Sequence, residues 1–427
     1  MRLPPVLHRR SYALLFVALL AMGLGNQMVA VAVGWQVYDI HRSAFDLGLI
    51  GLVEFLPLLL LALPAGHIAD RFSRRSVFAA SLALNVAVTA GLLVVSLTAS
   101  HLLWPYLLLA AAAGVAMALG TPAARALAPM LVPIDLLESA MALRSIAFQI
   151  GFVGGPAIGG VLFAVQPELA YAAAAALLGV GFAAISGVRL PPAGAQSLDE
   201  KASPLGLDNL LAGLRFIRRT PVILGAISLD LFAVLFGGAV ALLPLFARSV
   251  LHTGPVGLGV LRTAPAVGAL AAGVLIAKRP LGGRVGRKLL LVVAVFGASM
   301  IVFGLSHSFA LSLAALAVSG FVDMISMNIR STTVALATPN DLRGRVLAIE
   351  MVFISASNEL GAFESGVAAA LFGAATAVVA GGLITIGLAG GWAFLFPALA
   401  EIDRFEDVHA GRVGRRADHP HSAGTPA

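Results

Sequence analysis

The sequence predicts an all-α membrane protein: twelve transmembrane helices in two six-helix bundles that echo each other, with both termini cytoplasmic. Three observations predict it. The first is composition. The 427 residues are 59% hydrophobic and 11% charged, with a mean hydropathy of +0.96. A soluble domain carries about 25% charged residues. The second is a succession of apolar runs of spanning length, at 12–38, 46–69, 76–98, 102–128, 139–165, 168–189, 221–249, 256–278, 288–306, 309–336, 345–373 and 374–397. The third is an internal repeat. Pro133-x-Asp135-Leu136 returns 206 residues later as Pro339-x-Asp341-Leu342, and the same offset relates Gly155 to Gly361 and Gly160 to Gly366. Each Pro-x-Asp-Leu closes a run that carries an Arg, Arg125 and Arg330.

Along the chain, MRLPPVLHRRSY is a short basic lead without a cleavage signal, and the apolar run after it is long enough to stay in the membrane. Six runs follow within 1–189. The one long polar interruption, 190–220, is expected to be a cytoplasmic linker. Six more runs fill 221–397, with tight turns at Gln166-Pro167 and Gly373. A cytoplasmic tail occupies 398–427 and ends in HPHSAGTPA, which has too little apolar surface to order itself. The basic residues fix the orientation. Arg71, Arg74, Arg75, Arg189, Lys201, Arg215, Lys278, Arg284 and Arg343 all fall at the termini or in even-numbered connections. The odd-numbered connections hold only Arg42, with Arg248 at a helix end. By the positive-inside rule both termini face the cytoplasm.

Several function classes are excluded. There is no cysteine, so no disulfide or thiolate metal site. The nine His have no ligand spacing, so no metal and no cofactor is expected. The net charge of +7 punctuates apolar runs and fits the membrane surface rather than nucleic acid. There is no phosphate-binding Gly-x-x-x-x-Gly-Lys loop, no Gly-x-Ser-x-Gly and no His-Glu-x-x-His. ATP hydrolysis and intramembrane hydrolysis are therefore not expected, and the chain is not read as an enzyme.

The stretch RSIAFQIGFVGGPAIGG, Arg144 to Gly160, places Gly151, Gly155 and Gly159 on one helix face, widened by Gly154 and Gly160. Such a face lets another backbone approach closely. Pro156 removes a donor and favours a kink. Between the second and third runs stands Gly66-His-Ile-Ala-Asp70-Arg71-Phe-Ser-Arg74-Arg75. The first stretch resembles the antiporter motif of helix 5 in the major facilitator superfamily, and the second resembles that superfamily's loop signature, with Ser73 in place of the usual Gly. The resemblance covers about residues 11–405. The segments VGWQVYDIHRSAFDLGLIGLVEFLP, TPAARALAPMLVP and SNELGAFESG are similar to the bacterial branch of enterobactin-type siderophore exporters.

The resemblance implies the major facilitator fold, with the substrate site between two bundles near the midplane. It implies a secondary transporter of the bacterial inner membrane that exports a small organic molecule, such as a siderophore or drug, by proton antiport. Its partners would be lipid, substrate and protons, and it would act as a monomer. An importer with the same fold is the alternative. By the family pattern Asp70 latches the cytoplasmic side together with Gly66, Arg71, Arg74 and Arg75, pairing with Arg125. The arginines could equally be topology determinants. The C-terminal echo, Gly273-x-x-x-Ala277-Lys278-Arg279, lacks the acid.

Ionisable residues inside the runs are the remaining signal, because each is costly in lipid and faces a cavity or a partner. They are Glu54, Arg144, Asp230, Arg262, Asp323, Glu350, Glu359 and Glu364. A carboxylate that passes between water and a low-dielectric interior changes its proton affinity, which is the basis of coupling. Glu364, Glu359, Asp323, Asp230 and Glu54 are the candidates for that role, against structural pairing. Glu350, Ser357, Gly361 and Glu364 fall within about 40° of one helix face and Glu359 points away. The first set is expected to line the cavity while Glu359 pairs with a neighbour. Asn26, Gln27, Arg144 and Gln149 are the candidates for the substrate cavity. Arg144 could hold an anionic substrate or neutralise an acid of the eleventh run. Trp35 could line the cavity or anchor the membrane interface.

Overall fold

The computed structural model describes residues 4–190 and 207–409. Six membrane helices come first: α1 (Arg10–His41), α2 (Ala44–Arg71), α3 (Arg74–Leu97), α4 (Trp104–Leu131), α5 (Ile134–Val165) and α6 (Pro167–Ser186). A shorter helix, α7 (Leu207–Arg219), precedes the second set. That set is α8 (Pro221–Gly237), α9 (Pro255–Lys278), α10 (Val285–Leu305), α11 (Phe309–Ala337), α12 (Asn340–Phe372) and α13 (Ala374–Leu395). Twelve helices are long and apolar enough to cross a membrane, the seventh being counted as Pro221–Val250.

Local sequence explains where these helices begin. Pro133 and Pro339 are the N-caps of α5 and α12, with Asp135 and Asp341 in the first turns. An acid there is favoured by the helix dipole. Both helices therefore start five residues before the apolar runs do, and the repeated Pro-x-Asp-Leu opens a helix as much as it closes one. Pro167, Pro221 and Pro255 stand at first helical positions, where no donor is lost. Ser73, which stands where the resembling loop signature has Gly, caps α3. Its φ is −62° and its Oγ accepts from Ser76 N at 3.1 Å. No left-handed backbone is needed there, and such a cap contributes about 1 kcal/mol. Gly373 turns α12 into α13 at φ +86°.

The seventh span departs from the expected single helix. Regular α8 ends at Gly237, and short 3₁₀, α and π turns continue over Val240–Val250. Arg248 lies in the π turn. The helix α7 lies in the expected linker and is strongly amphipathic. Ile217 is buried, Arg215, Arg218 and Arg219 are exposed, and Gly213 meets Ile349 and Arg345 of α12. Residues 191–206 of that linker and 410–427 of the tail lie outside the described residues.

Packing repeats with the sequence. In the first six helices α1 packs on α5, α2 on α4 and α3 on α6. In the second six, α8 packs on α12, α9 on α11 and α10 on α13. The halves meet mainly along two helix pairs, α5 against α9 and α2 against α12, which are equivalent contacts under the repeat. Three apolar cores hold the molecule. One, at the end away from the termini, is shared by both halves and contains Val31, Trp35, Tyr106, Leu242, Phe246 and Phe303. At the end bearing the termini each half has its own core, around Tyr12 and Leu127 in the first and Ile223 and Leu289 in the second.

Candidate functional site

The glycines of α5 set how closely the helices of this site approach. A Cβ on Gly151 would stand 2.8 Å from Gly23 Cα, one on Gly155 2.9 Å from Leu24 O, and one on Gly159 2.8 Å from Met28 Cα. That face is therefore a backbone-to-backbone seam with α1, and Gln27 is packed into it against Gly155. Gly160 looks elsewhere. Its missing side chain leaves room for Pro255 O and for Gly259 of α9, in the other half. Under the repeat, Gly366 of α12 meets Gly48 of α2 in the same way, with a would-be Cβ 2.8 Å from Gly48 Cα. Two symmetric glycine crossings thus join the halves near the end away from the termini. Gln149 Nε2 donates to Ala266 O of α9 at 2.8 Å, and Thr263 Oγ1 lies 3.1 Å from Val153 O. Gln149 therefore ties α5 to α9.

The same end carries a polar clasp. Asp39 Oδ1 of α1 is 2.8 Å from Arg248 Nη2, the Arg248 guanidinium lies 5.5 Å from the centre of the Trp35 ring, and Tyr38 Oη is 2.9 Å from Ser249 Oγ. Trp35 is 4% exposed. It is a buried platform for Arg248 rather than a membrane-interface anchor. At the opposite end the halves touch more sparely: among the described polar contacts, Arg125 Nη2 reaches Met351 Sδ at 3.4 Å. Among the described residues, the halves are closed away from the termini and parted toward them.

Helix α11 shows where the gap lies. Its exposed residues change sides along its length. Leu311, Ala314 and Val318 are exposed in the first half, and Asp323, Met327 and Ser331 in the second, roughly opposite. The apolar set suits lipid. The set that includes a charge faces the space between the halves.

Two charged groups occupy the interior. The first straddles the halves. Glu54 of α2, Arg262 of α9 and Glu359 of α12 lie within electrostatic reach of one another, all partly buried. Glu359 Oε2 lies against Gly51 of α2. Glu54 follows Ala44 by ten residues, about 15 Å along the helix and so near mid-depth. The second group is inside the second half. Arg330 Nη1 is 2.6 Å from Asp230 Oδ2, with side chains 6% and 9% exposed. Arg330 Nε donates to Ser326 Oγ at 3.2 Å. Asp323 and Glu350 lie within reach of the same pair.

Glu359 meets neighbouring helices as expected, but the other face of the eleventh run, expected to line the cavity, is largely buried. Ser357 and Gly361 are buried against the second half, with Gly361 against the Val234 and Leu235 carbonyls of α8. Glu350, on that face, is 8% exposed. Glu359 is the residue that looks across the interface. Periodicity gave the two faces correctly but could not say which one met the other half. Glu364 is partly buried beside Ser365, whose hydroxyl lies 3.5 Å from Glu364 Oε2 and 2.8 Å from Gly238 O.

The remaining expected residues are scattered. Asn26 is exposed in the middle of α1. Arg144 is partly buried within reach of Arg125 and Tyr12, and its Nε has no hydrogen-bond partner among the described residues. It does not neutralise Glu350, which sits with Arg330. Arg74 Nη1 packs on Met130 Sδ at 3.2 Å, and Arg75 Nη2 donates to Ser186 O at 2.6 Å, where a cation suits the C-terminus of α6. Both hold the first half together. The surroundings of Gly66 and the side chains of Asp70 and Arg71 lie outside what the structure describes. The cluster around Arg330 was only partly anticipated. Asp230, Asp323 and Glu350 are legible as ionisable residues inside the runs, but nothing in the sequence joins α8, α11 and α12 at one point.

The family profile described as transmembrane secretion effector matches residues 3–412. The chain belongs to this family of major facilitator transporters. It is 28% identical to the multidrug efflux pump Tap of Mycolicibacterium fortuitum, over 92% of this chain and 98% of that protein. It is 27% identical to the enterobactin exporter EntS of Citrobacter koseri, over 91% of each chain. Among solved structures, a bacterial homologue of the human lysosomal transporter Spinster covers 92% of this chain and 97% of its own, with 16% identity and a TM-score of 0.72. A D-xylose–proton symporter covers 92% and 98%, with 13% identity and a TM-score of 0.71. The protein is a multi-pass membrane transporter and not an enzyme.

Proposed function

We propose that this transporter is a proton-coupled exporter of a small organic molecule, working by alternating access in the bacterial inner membrane. The observation that carries the coupling is the group Glu54, Arg262 and Glu359, two acids and one base divided between the halves at mid-depth. Rocking the halves changes the separation and hydration of these charges together, so proton binding and cavity opening are linked. Export as the direction rests on the efflux proteins with which the chain aligns over nearly all its length, and on the antiporter motif of α5. A drug or siderophore is the corresponding cargo.

The positive-inside pattern puts both termini in the cytoplasm. The parted end then opens inward, where an exporter loads. The halves are taken as 1–189 and 221–397, the linker 190–220 and tail 398–427 as cytoplasmic, and the unit as a monomer. Asn26, Gln27, Arg144 and Gln149 lie on the helices that would line the cargo path. In the cycle Asp70 pairs with Arg125 to close the cytoplasmic side, and Glu364 is a further proton candidate beside Glu359, Glu54, Asp323 and Asp230.

The test compares small molecules inside cells and in the medium, with and without the gene, under iron limitation and in rich growth. A compound retained inside the deletion strain supports export. A compound left behind in the medium means uptake and reverses the direction. Replacing the gene with a Glu359→Gln version should reproduce the deletion while the protein still inserts. Unchanged export by that version removes the straddling group from coupling.

A further inference from the structure

Inside the second half, one guanidinium serves three carboxylates. Asp230 holds Arg330 at 2.6 Å. Asp323 and Glu350 lie within electrostatic reach of that pair. Arg330, Asp230 and Glu350 are 5%, 8% and 8% exposed. If all four were ionised, the cluster would carry a net charge of −2 in a membrane interior. Such a surplus is costly enough that a buried carboxyl takes up a proton instead.

The surroundings say which carboxyl. Asp230 is committed to the ion pair. Asp323 is exposed to the gap on one side, and on the other it lines a cavity of about 20 Å³ with Asp230 and Ser326. That is space for about one water molecule. Glu350 has neither an ion pair nor a hydrogen bond among the described residues, though it is more than nine-tenths buried. Among the described side chains, the other charges on the helices around α12 do not reach it in the same way. Glu54 of α2 belongs with Arg262 and Glu359, the arginines of α7 are exposed, and α13 carries no charged residue. A metal ion is a poor occupant, since no three ligating side chains in the described residues converge on a point.

We infer that Glu350 is a proton-binding carboxyl of the second half, reached from the gap through Asp323 and lying beside the fixed Asp230–Arg330 ion pair. This rests on the proton-coupled reading above but names a different group. Glu350 is well placed to report its state. Its neighbours in sequence, Ile349 and Met351, touch the linker helix at Gly213 and Arg125 of the first half. One helical turn thus joins the proton, the linker and the inner seam. Ionised Glu350 adds a negative charge next to Met351, where Arg125 of the first half makes its contact. A proton there weakens the attraction and favours the parted end.

The test is infrared difference spectroscopy on the full chain reconstituted in lipid at neutral pH, which needs no cargo. The wild type should show a protonated-carboxyl band that Glu350→Gln removes. Glu350→Met, of similar length and uncharged, should remove the same band if the glutamine variant does not insert. Asp323→Asn should keep the band but slow its shift in D₂O, an effect that a purely structural role would not produce. A band that survives both Glu350 variants, or is absent from the wild type, overturns the inference. Ethidium driven by an imposed pH gradient is measured on the same membranes. A wild type that shows the band and moves no ethidium upholds the proton site and counts against the exporter reading alone.

Discussion

The two halves place opposite charges at one equivalent backbone position and arginines in different surroundings at another. Glu350 in α12 stands 206 residues after Arg144 in α5, the repeat's own offset, and Arg330 stands 205 after Arg125. The first half therefore has two arginines where the second has an arginine and an acid. Their environments differ as well. Arg125 is exposed and reaches across to Met351, whereas Arg330 is buried and paired with Asp230. Duplication supplied two equal scaffolds, and substitution then made one side positive at the inner seam and the other a self-contained charged core. The fold tolerates this because α1, unlike α8, brings no acid to that depth. The backbone is symmetric while the field across the seam is directional.

The largest expected effect follows from that contrast. Removing one member of a buried pair leaves a charge without compensation and costs about 3–5 kcal/mol. Arg330→Gln should destabilise by that much in thermal unfolding of the detergent-solubilised protein. Arg125→Gln, at an exposed site, should cost less than about 1 kcal/mol. Equal losses would mean that the two arginines serve the same structural purpose and that the asymmetry has no energetic content.

How much of this the sequence discloses depends on whether the information is local. Twelve spans, the repeat and the glycine face of α5 are written in runs and spacings a few residues long. The starts of α5 and α12 could have been read from Pro133 and Pro339 with an acid two residues on. The amphipathic α7 was hidden in a segment whose polarity suggested only a linker, although Leu210, Leu214 and Ile217 recur at helical spacing. The break after Gly237 escaped because α8 and the turns beyond it are equally apolar. The cluster around Arg330 is not local at all. It depends on which faces of α8, α11 and α12 meet, and periodicity fixes a face without fixing its partner.

A middle-sized effect tests the symmetry of the crossings. Gly160 and Gly366 occupy equivalent positions, and each admits the other half's backbone. Leucine at either one must push the halves apart, at a cost of about 1–3 kcal/mol. Gly160→Leu and Gly366→Leu should lower the melting temperature alike and both expose the far end. Loss at one position only would show that α5 against α9 and α2 against α12 close in sequence rather than together.

The smallest effect concerns the clasp, in which Arg248 and its repeat equivalent Arg42 share Asp39 Oδ1, at 2.8 and 3.0 Å. Asp39 and Arg248 are 41% and 38% exposed in their side chains, so their pair contributes no more than about 1 kcal/mol. That is too little to register reliably in unfolding, yet about fivefold in a conformational equilibrium. The absence of cysteine makes it measurable. Ala247, buried in the core shared by the halves, can carry a single cysteine as reporter. Its maleimide labelling rate follows the fraction of molecules open at that end. Asp39→Asn should raise that rate up to about fivefold, and Arg248→Gln should match it. The double variant should cost less than the sum of the two, because the residues share one ion pair, while Asp39 also holds Arg42 at 3.0 Å and Arg248 also stacks on Trp35. A rate unchanged by Asp39→Asn would assign closure to the apolar core and the glycine crossings, leaving Arg248 to its stacking on Trp35.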